Sequence, residues 1–277
     1  MLLTVCSVQA QFHGVTAELK LDQDQYLPGE DIKLKVRIMN RSGQEIVLGG
    51  AGDWIVLSVV DEKNRSCPKL GEMPIEGEFS LQSGEVGTRT LNPTPYFDFR
   101  GAGRYWIMAR IRIPQWKQEI TCKSVHFSLF SGVALPNLEN LQFGMPLAAG
   151  VTNAVPEMRK YSLLKVTFLK EMKLYFRLTD STGRIMRVFP IARMMSFSDP
   201  EAQIDRNNNL HVLHQTGARL FSYAVINPDG DWVTRQTYTY NDTRPVLKIS
   251  ADGKIYVAGG ERQETPDDLP APAPDSH

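Results

Sequence analysis

Tyr26-Leu27-Pro28-Gly29-Glu30-Asp31-Ile32-Lys33-Leu34-Lys35-Val36-Arg37-Ile38 decides the fold. Pro28-Gly29 is a turn signal. Behind it, Ile32, Leu34, Val36 and Ile38 alternate with Lys33, Lys35 and Arg37. Side chains of a strand point alternately to its two faces, so this segment has one dry face and one wet face. Antiparallel sheets with one solvated side carry that pattern. It returns in Gly103–Ile113, where Tyr105, Ile107, Ala109, Ile111 and Ile113 share a face and Arg104, Arg110 and Arg112 take the other. Residues 54–60 are apolar on both faces, which suits a central strand. Val15–Leu21 and residues 87–91 read as further strands. Residues 118–130 change parity midway, and a bulge near Lys123 reconciles the halves.

The chain has 277 residues, with 42% hydrophobic and 22% charged. That composition belongs to a globular protein with a substantial core. Lys+Arg and Asp+Glu number 31 each, so no whole-chain field favours nucleic acid. No apolar run reaches the roughly 18 residues of a membrane-spanning helix. Residues 261–277 combine Glu261, Glu264, Asp267, Asp268 and Asp275 with four prolines, so a disordered acidic tail is expected.

Residues 1–10, Met-Leu-Leu-Thr-Val-Cys-Ser-Val-Gln-Ala, resemble the end of a truncated secretory signal, with Val8 and Ala10 at −3 and −1 to a cut. The alternative is a short buried or frayed N-terminus. Export implies a secreted, periplasmic or cell-surface protein, in which Cys67 and Cys122 are expected to form a disulfide. Closing that loop is worth about 4 kcal/mol. In a reducing compartment the same pair would be two buried thiols.

About seven short strands in the first half suggest a sandwich. Tyr26-x-Pro28-Gly29-Glu30 before the second strand, and Gly103-x-Tyr105 entering the penultimate one, resemble the immunoglobulin-like and macroglobulin-type modules of secreted proteins. The outline is similar to the bacterial intracellular proteinase-inhibitor fold as well. The resemblance implies that the tyrosine forms a corner, with its hydroxyl bonded to nearby backbone. It covers residues 15–132 and implies fold more than function.

The expected organisation is all-β: an Ig-like β-sandwich over 11–132, an irregular connector over 133–160, and a smaller antiparallel blade-like sheet domain over 161–260. Asp205-Arg-Asn-Asn-Asn-Leu-His-Val and Ser250-Ala-Asp-Gly-Lys-Ile-Tyr-Val, about 45 residues apart, are similar to the turns of β-propeller blades. Residues 161–260 hold only about two blades, whereas a closed propeller needs at least about four. A blade-like sheet, a truncated propeller, or self-association with other copies remain open.

Candidate sites are few. His211 and His214 lie three apart in one strand and point to opposite faces, so they cannot share a metal. Asp205-x-Asn207-x-Asn209 and Asn227-x-Asp229-x-Asp231 begin like calcium loops but lack the glycine and twelfth-position carboxylate, and hairpin turns explain them better. No catalytic motif, cofactor loop or metal signature is present. Trp232, Thr234, Gln236, Tyr238 and Tyr240 alternate along one strand as a ligand face, or as packing against a neighbouring sheet. The basic sets Lys33/Lys35/Arg37 and Arg104/Arg110/Arg112 would lie in opposite sheets. The expected function is an exported, non-catalytic binding or structural module presenting loops or a sheet face to a protein or glycan. The alternatives are an accessory component of a carbohydrate-active enzyme or peptidase system, or a proteinase inhibitor presenting the segment 68–87.

Overall fold

The computed structural model describes residues 14–50, 53–75, 77–135, 138, 141–145, 155–168 and 171–270. Within them the chain is all-β, with short 3-10 turns such as Thr94–Tyr96 and Pro114–Trp116 and no α-helix. No helix of the described residues is long and apolar enough to cross a membrane. Two compact units divide at Phe130/Ser131.

The first unit contains β1 (Val15–Leu21), β2 (Gln25–Tyr26), β3 (Leu34–Asn40), β4 (Ile46–Leu48), β5 (Ile55–Asp61), β6 (Phe79–Leu81), β7 (Val86–Leu91), β8 (Gly103–Ile113), β9 (Gln118–Thr121) and β10 (Val125–Leu129). One sheet runs β1-β3-β7 and another β2-β10-β8-β5, with β9 also on β8 and β4-β6 a separate ladder. Leu34, Val36 and Ile38 of β3 and Ile107, Ala109 and Ile111 of β8 are fully buried in one core. The alternation in sequence therefore locates the dry face of each sheet correctly.

Tyr26-Leu-Pro-Gly-Glu30 forms a type II turn. The Glu30 N–H donates to the Leu27 carbonyl, and Gly29 takes φ +83°, a value that favours glycine at that position. The buried Glu30 carboxylate reaches back to accept the Leu27 N–H at 2.8 Å. Residues 31–33, expected in the strand, lie outside it. The Ile32 N–H turns to the Asn92 and Thr94 side chains rather than to a ladder partner. The parity change after Thr121 is a bulge. Cys122–Ser124 intervene between the pairs Arg110↔Thr121 and Ile107↔Val125, three residues opposite two.

Tyr105 anchors an aromatic cluster. Its ring stacks on Phe127 at 5.6 Å and meets Phe99 edge-on at 5.3 Å. Tyr26 packs edge-on against Phe127. The Tyr105 hydroxyl donates to the Gly101 carbonyl at 2.9 Å, the corner that the resemblance implies.

The second unit contains β11 (Val133–Ala134), β12 (Leu141–Gly144), β13 (Met158–Thr167), β14 (Met172–Asp180), β15 (Ile185–Met194), β16 (Glu201–Ile204), β17 (Leu210–Gln215), β18 (Leu220–Ile226), β19 (Trp232–Thr239), β20 (Val246–Ile249), β21 (Ile255–Ala258) and β22 (Glu261–Gln263). The sheet β11-β13-β14-β15, with β12 beside β13, packs against the sheet β16-β17-β18-β19-β22. The β20-β21 hairpin covers the other face of the second sheet through Leu247 and Ile255, against Leu213, Phe221, Tyr223 and Val225. This is why β17 is buried at every position.

Two expectations about organisation need correction. The span 133–160 is not a connector throughout, because β11, β12 and the start of β13 join the first sheet of this unit. Residues 261–270 are not a loose tail. There β22 pairs with β19, Leu269 bridges Arg235, and Asp268 is buried in an ion pair with Arg262 and a hydrogen bond from Thr265. Paired charges and a sheet edge to extend outweigh the polar composition. Residues 271–277 lie outside the described residues.

Five hairpin turns share one design. Asp61, Asp180, Asp205 and Asn227 each accept, on one side-chain oxygen, the backbone N–H groups two and four residues ahead. Ser250 accepts the N–H of Lys254. The fourth residue of each turn, Asn64, Gly183, Asn208, Gly230 or Gly253, is left-handed. This is a type I turn closed by a left-handed residue, with the side chain satisfying the donors the turn leaves over.

Removing the Tyr105 hydroxyl with Tyr105→Phe should cost about 1 kcal/mol. Tyr105→Ala should cost about 3–5 kcal/mol by leaving a hole between Phe99 and Phe127. Denaturant melts of the two variants measure the difference. His214 generates a pH expectation. Its ring is 1% exposed and neither nitrogen has a hydrogen-bond partner among the described residues. Burial pushes its pKa down from 6.5 to about 4, and the nearby Arg193 backbone opposes this to a lesser degree. Below pH 6.5 the unfolded chain takes up a proton that the folded chain refuses. Stability should therefore fall as pH drops from 6.5 towards 4, and His214→Leu should flatten that part of the profile.

Candidate functional site

Cys67 and Cys122 are both free thiols, which corrects the expected disulfide. The Cys67 N–H donates to the Val59 carbonyl on the outer edge of β5. The Cys122 N–H donates to the Ala109 carbonyl on the far edge of β8. With β5 and β8 between them, the two residues stand three interstrand spacings apart, about 14 Å. That is roughly twice the widest Cα separation a disulfide spans.

The expected ligand face on β19 does not hold together. A register shift lies between Ile226↔Trp232 and Val225↔Thr234. The extra residue, Val233, sends Trp232 to the opposite face from Gln236 and Tyr238. Trp232 packs beside Phe189, with ring centroids 5.1 Å apart. Tyr238 packs edge-on to Tyr223 on the β20-β21 side, its hydroxyl donating to Gln236 at 3.0 Å. Tyr240 lies beyond the strand and is exposed. The carboxylate of Asp205 accepts turn N–H groups and contacts His211 Nε2 at 3.2 Å, while His211 Nδ1 meets the Tyr223 hydroxyl at 2.7 Å. This chain of contacts ties a turn to a buried strand. The segment 68–87 is not one projecting loop, since Leu70 bonds to Tyr96 and β6 pairs with β4.

Lys35 and Arg37 lie on β3 and Arg104, Arg110 and Arg112 on β8, in separate sheets, with Lys33 just before β3. On the wet face of β8, however, the arginines are interrupted by Trp106 and Met108, and there the most distinctive surface of the first unit is built. Trp106 stands opposite Val60 of β5 on one side and His126 of β10 on the other. The His126 ring is tilted beside the indole at 6.3 Å. Met108 and Phe130 are 40% and 41% exposed nearby.

Two grooves adjoin this indole. One, of ≈ 340 Å³, is lined by Ser58, Asp61, Asn64, Met108 and Ser124 as well as Trp106. The other, of ≈ 460 Å³, is lined by Arg104, Ser128 and Phe130, and Trp106 and Glu62 border both. Asp61 is committed to its turn, with Oδ1 on the Lys63 and Arg65 N–H groups and Oδ2 on Arg65 Nε. The hydrogen bond from the Arg65 backbone is the main cause holding its pKa below the ordinary carboxylate value. Glu62, one residue on, makes no ion pair or hydrogen bond among the described residues, and its side chain is exposed. The face thus offers an aromatic plane, an uncommitted carboxylate, an amide and hydroxyls. The sequence carried one signal for it: a tryptophan at a position whose alternation demands a wet residue.

No protein-family model and no curated protein matches the chain. Among solved structures, the chain is similar to the sporulation control protein Spo0M from Bacillus subtilis at 12% identity and a TM-score of 0.29, covering 66% of this chain and 91% of that one. At that score the likeness carries no argument about fold or activity.

Both thiols should resist modification in the folded protein. Burial pushes Cys122 up to about 11 and raises Cys67 as well, so little thiolate is present at neutral pH. A thiol-reactive dye should label Cys67 and Cys122 only after denaturation, without reductant, as counted by mass spectrometry of the labelled peptides.

Proposed function

We propose that the chain is an exported, non-catalytic binding module that engages a glycan through the Trp106 face of its first unit. The observation that carries this reading is the position of Trp106 at the centre of an open sheet face with a groove on either side. A half-buried indole supplies a rigid apolar plane for a sugar ring. Glu62, Asn64, Ser58 and Ser124 supply donors and acceptors that give a hydroxylated ligand its direction. The orders β1-β3-β7 and β2-β10-β8-β5 favour reading the first unit as immunoglobulin-like. The antiparallel sheets of the second unit favour the comparison with propeller blades. Export rests on residues 1–10 alone, which lie outside the described residues, and the disulfide no longer argues for it.

A glycan array probed with the full chain should give hits that Trp106→Ala removes and Glu62→Gln weakens at least tenfold, with melting temperatures unchanged. Arrayed peptides captured through the same residues, with no glycan bound, would replace the glycan by a protein ligand. Hits indifferent to Trp106, or none on either array, would refute the face as a binding site.

A further inference from the structure

On the outward side of β13 and β14, cations and hydroxyls alternate as cross-strand partners. Lys160 stands opposite Thr179, and Ser162 opposite Arg177, while Gln142 of β12 flanks Lys160. The alternate residues, Tyr161, Leu163, Phe176 and Leu178, fill the core on the other side. A cavity of ≈ 520 Å³ opens over this polar checkerboard. Its floor is unusually dry for such residues: Ser162 is 3% and Thr179 9% exposed, and Lys160 and Arg177 are half-buried.

The charges around it do not balance. Arg159 is spoken for, with Nε on Glu157 at 2.9 Å and Nη1 on Asp229 at 2.8 Å. Asp180 is spoken for too. Its Oδ1 accepts from the Thr182 hydroxyl, the Thr182 N–H and the Arg184 N–H, and its Oδ2 from Arg184 Nε. The Thr182 hydroxyl foremost, with Arg184, holds this carboxyl down at about 2. Lys160 and Arg177 remain, and neither has an acidic partner among the described residues. Arg177 Nε is buried without any hydrogen-bond partner there. Arg177 Nε has thus lost water that nothing among the described residues replaces, and Lys160 is a second half-buried cation on the same side of the sheet, diagonal to it across the β13–β14 pair.

We propose that this cavity binds a small organic oxyanion, a phosphate or sulfate monoester of a sugar-sized alcohol. The guanidinium of Arg177 matches two oxygens of a tetrahedral oxyanion, and Lys160 adds a second charge. Ser162 and Thr179 donate to the remaining oxygens. The volume is in the range of small-ligand pockets, roughly 300–1,000 Å³, and exceeds what a bare oxyanion fills. Gln142 and Ser181 at the rim suit a hydroxylated body. The cavity belongs to the second unit alone, so this inference stands or falls independently of the Trp106 face.

Calorimetric titration of the full chain at fixed ionic strength, with glucose 6-phosphate, glucose 6-sulfate and unmodified glucose, tests it. At least one ester should bind and raise the melting temperature, and glucose should do neither; the tighter ester tells phosphate from sulfate. Arg177→Met and Lys160→Met should each weaken ester binding at least tenfold, while Lys248→Met, an exposed cation on β20, should leave it unchanged. If Arg177→Met lowers stability, Lys160→Met and Arg177→Lys carry the comparison. Absence of binding by both esters, or equal loss in Lys248→Met, would overturn the proposal.

Discussion

Register is the constraint on which everything else rests, and in this chain it is set by turns whose first side chain bonds the backbone ahead of it. A one-residue slip in an antiparallel pair turns every side chain to the other face. Asp61, Asp180, Asp205, Asn227 and Ser250 prevent such slips by holding each hairpin to a single length. The Asp61 turn fixes how β5 ends beside Trp106. The Asp180 turn fixes the end of β14, where the cations and hydroxyls of the second unit line up. Surfaces that are open to ligands thus inherit their composition from turns that touch no ligand.

Where the alternation was simple, sequence reading located the structure well. The dry rows of β3 and β8, the bulge after Thr121 and the corner made by Tyr105 were all legible, because each depends on neighbours close in the chain. The failures have one physical origin: they depend on pairing partners that are distant in sequence. Whether Cys67 and Cys122 meet depends on which strands stand between them. Whether Trp232 shares a face with Tyr238 depends on a bulge opposite Val225. Whether 261–270 is ordered depends on a free edge of β19 being available to it.

The candidate surfaces were less legible than the fold. Trp106 was visible as a wet-face tryptophan only once the arginines around it were not treated as the whole of that face. Lys160, Ser162, Arg177 and Thr179 come from two strands and become a group only through the β13–β14 register. Nothing in either strand alone marks them.

The separation of the two thiols reaches beyond the question of crosslinking. Both cysteines are tied by their own N–H groups to Val59 of β5 and Ala109 of β8, so neither can approach the other without breaking those two strands. A Cys67–Cys122 bond formed during folding would therefore be a dead end, a covalent knot incompatible with the sheet. The native state asks for an environment, or a speed of collapse, that keeps the pair reduced until burial takes both sulfurs out of reach of an oxidant.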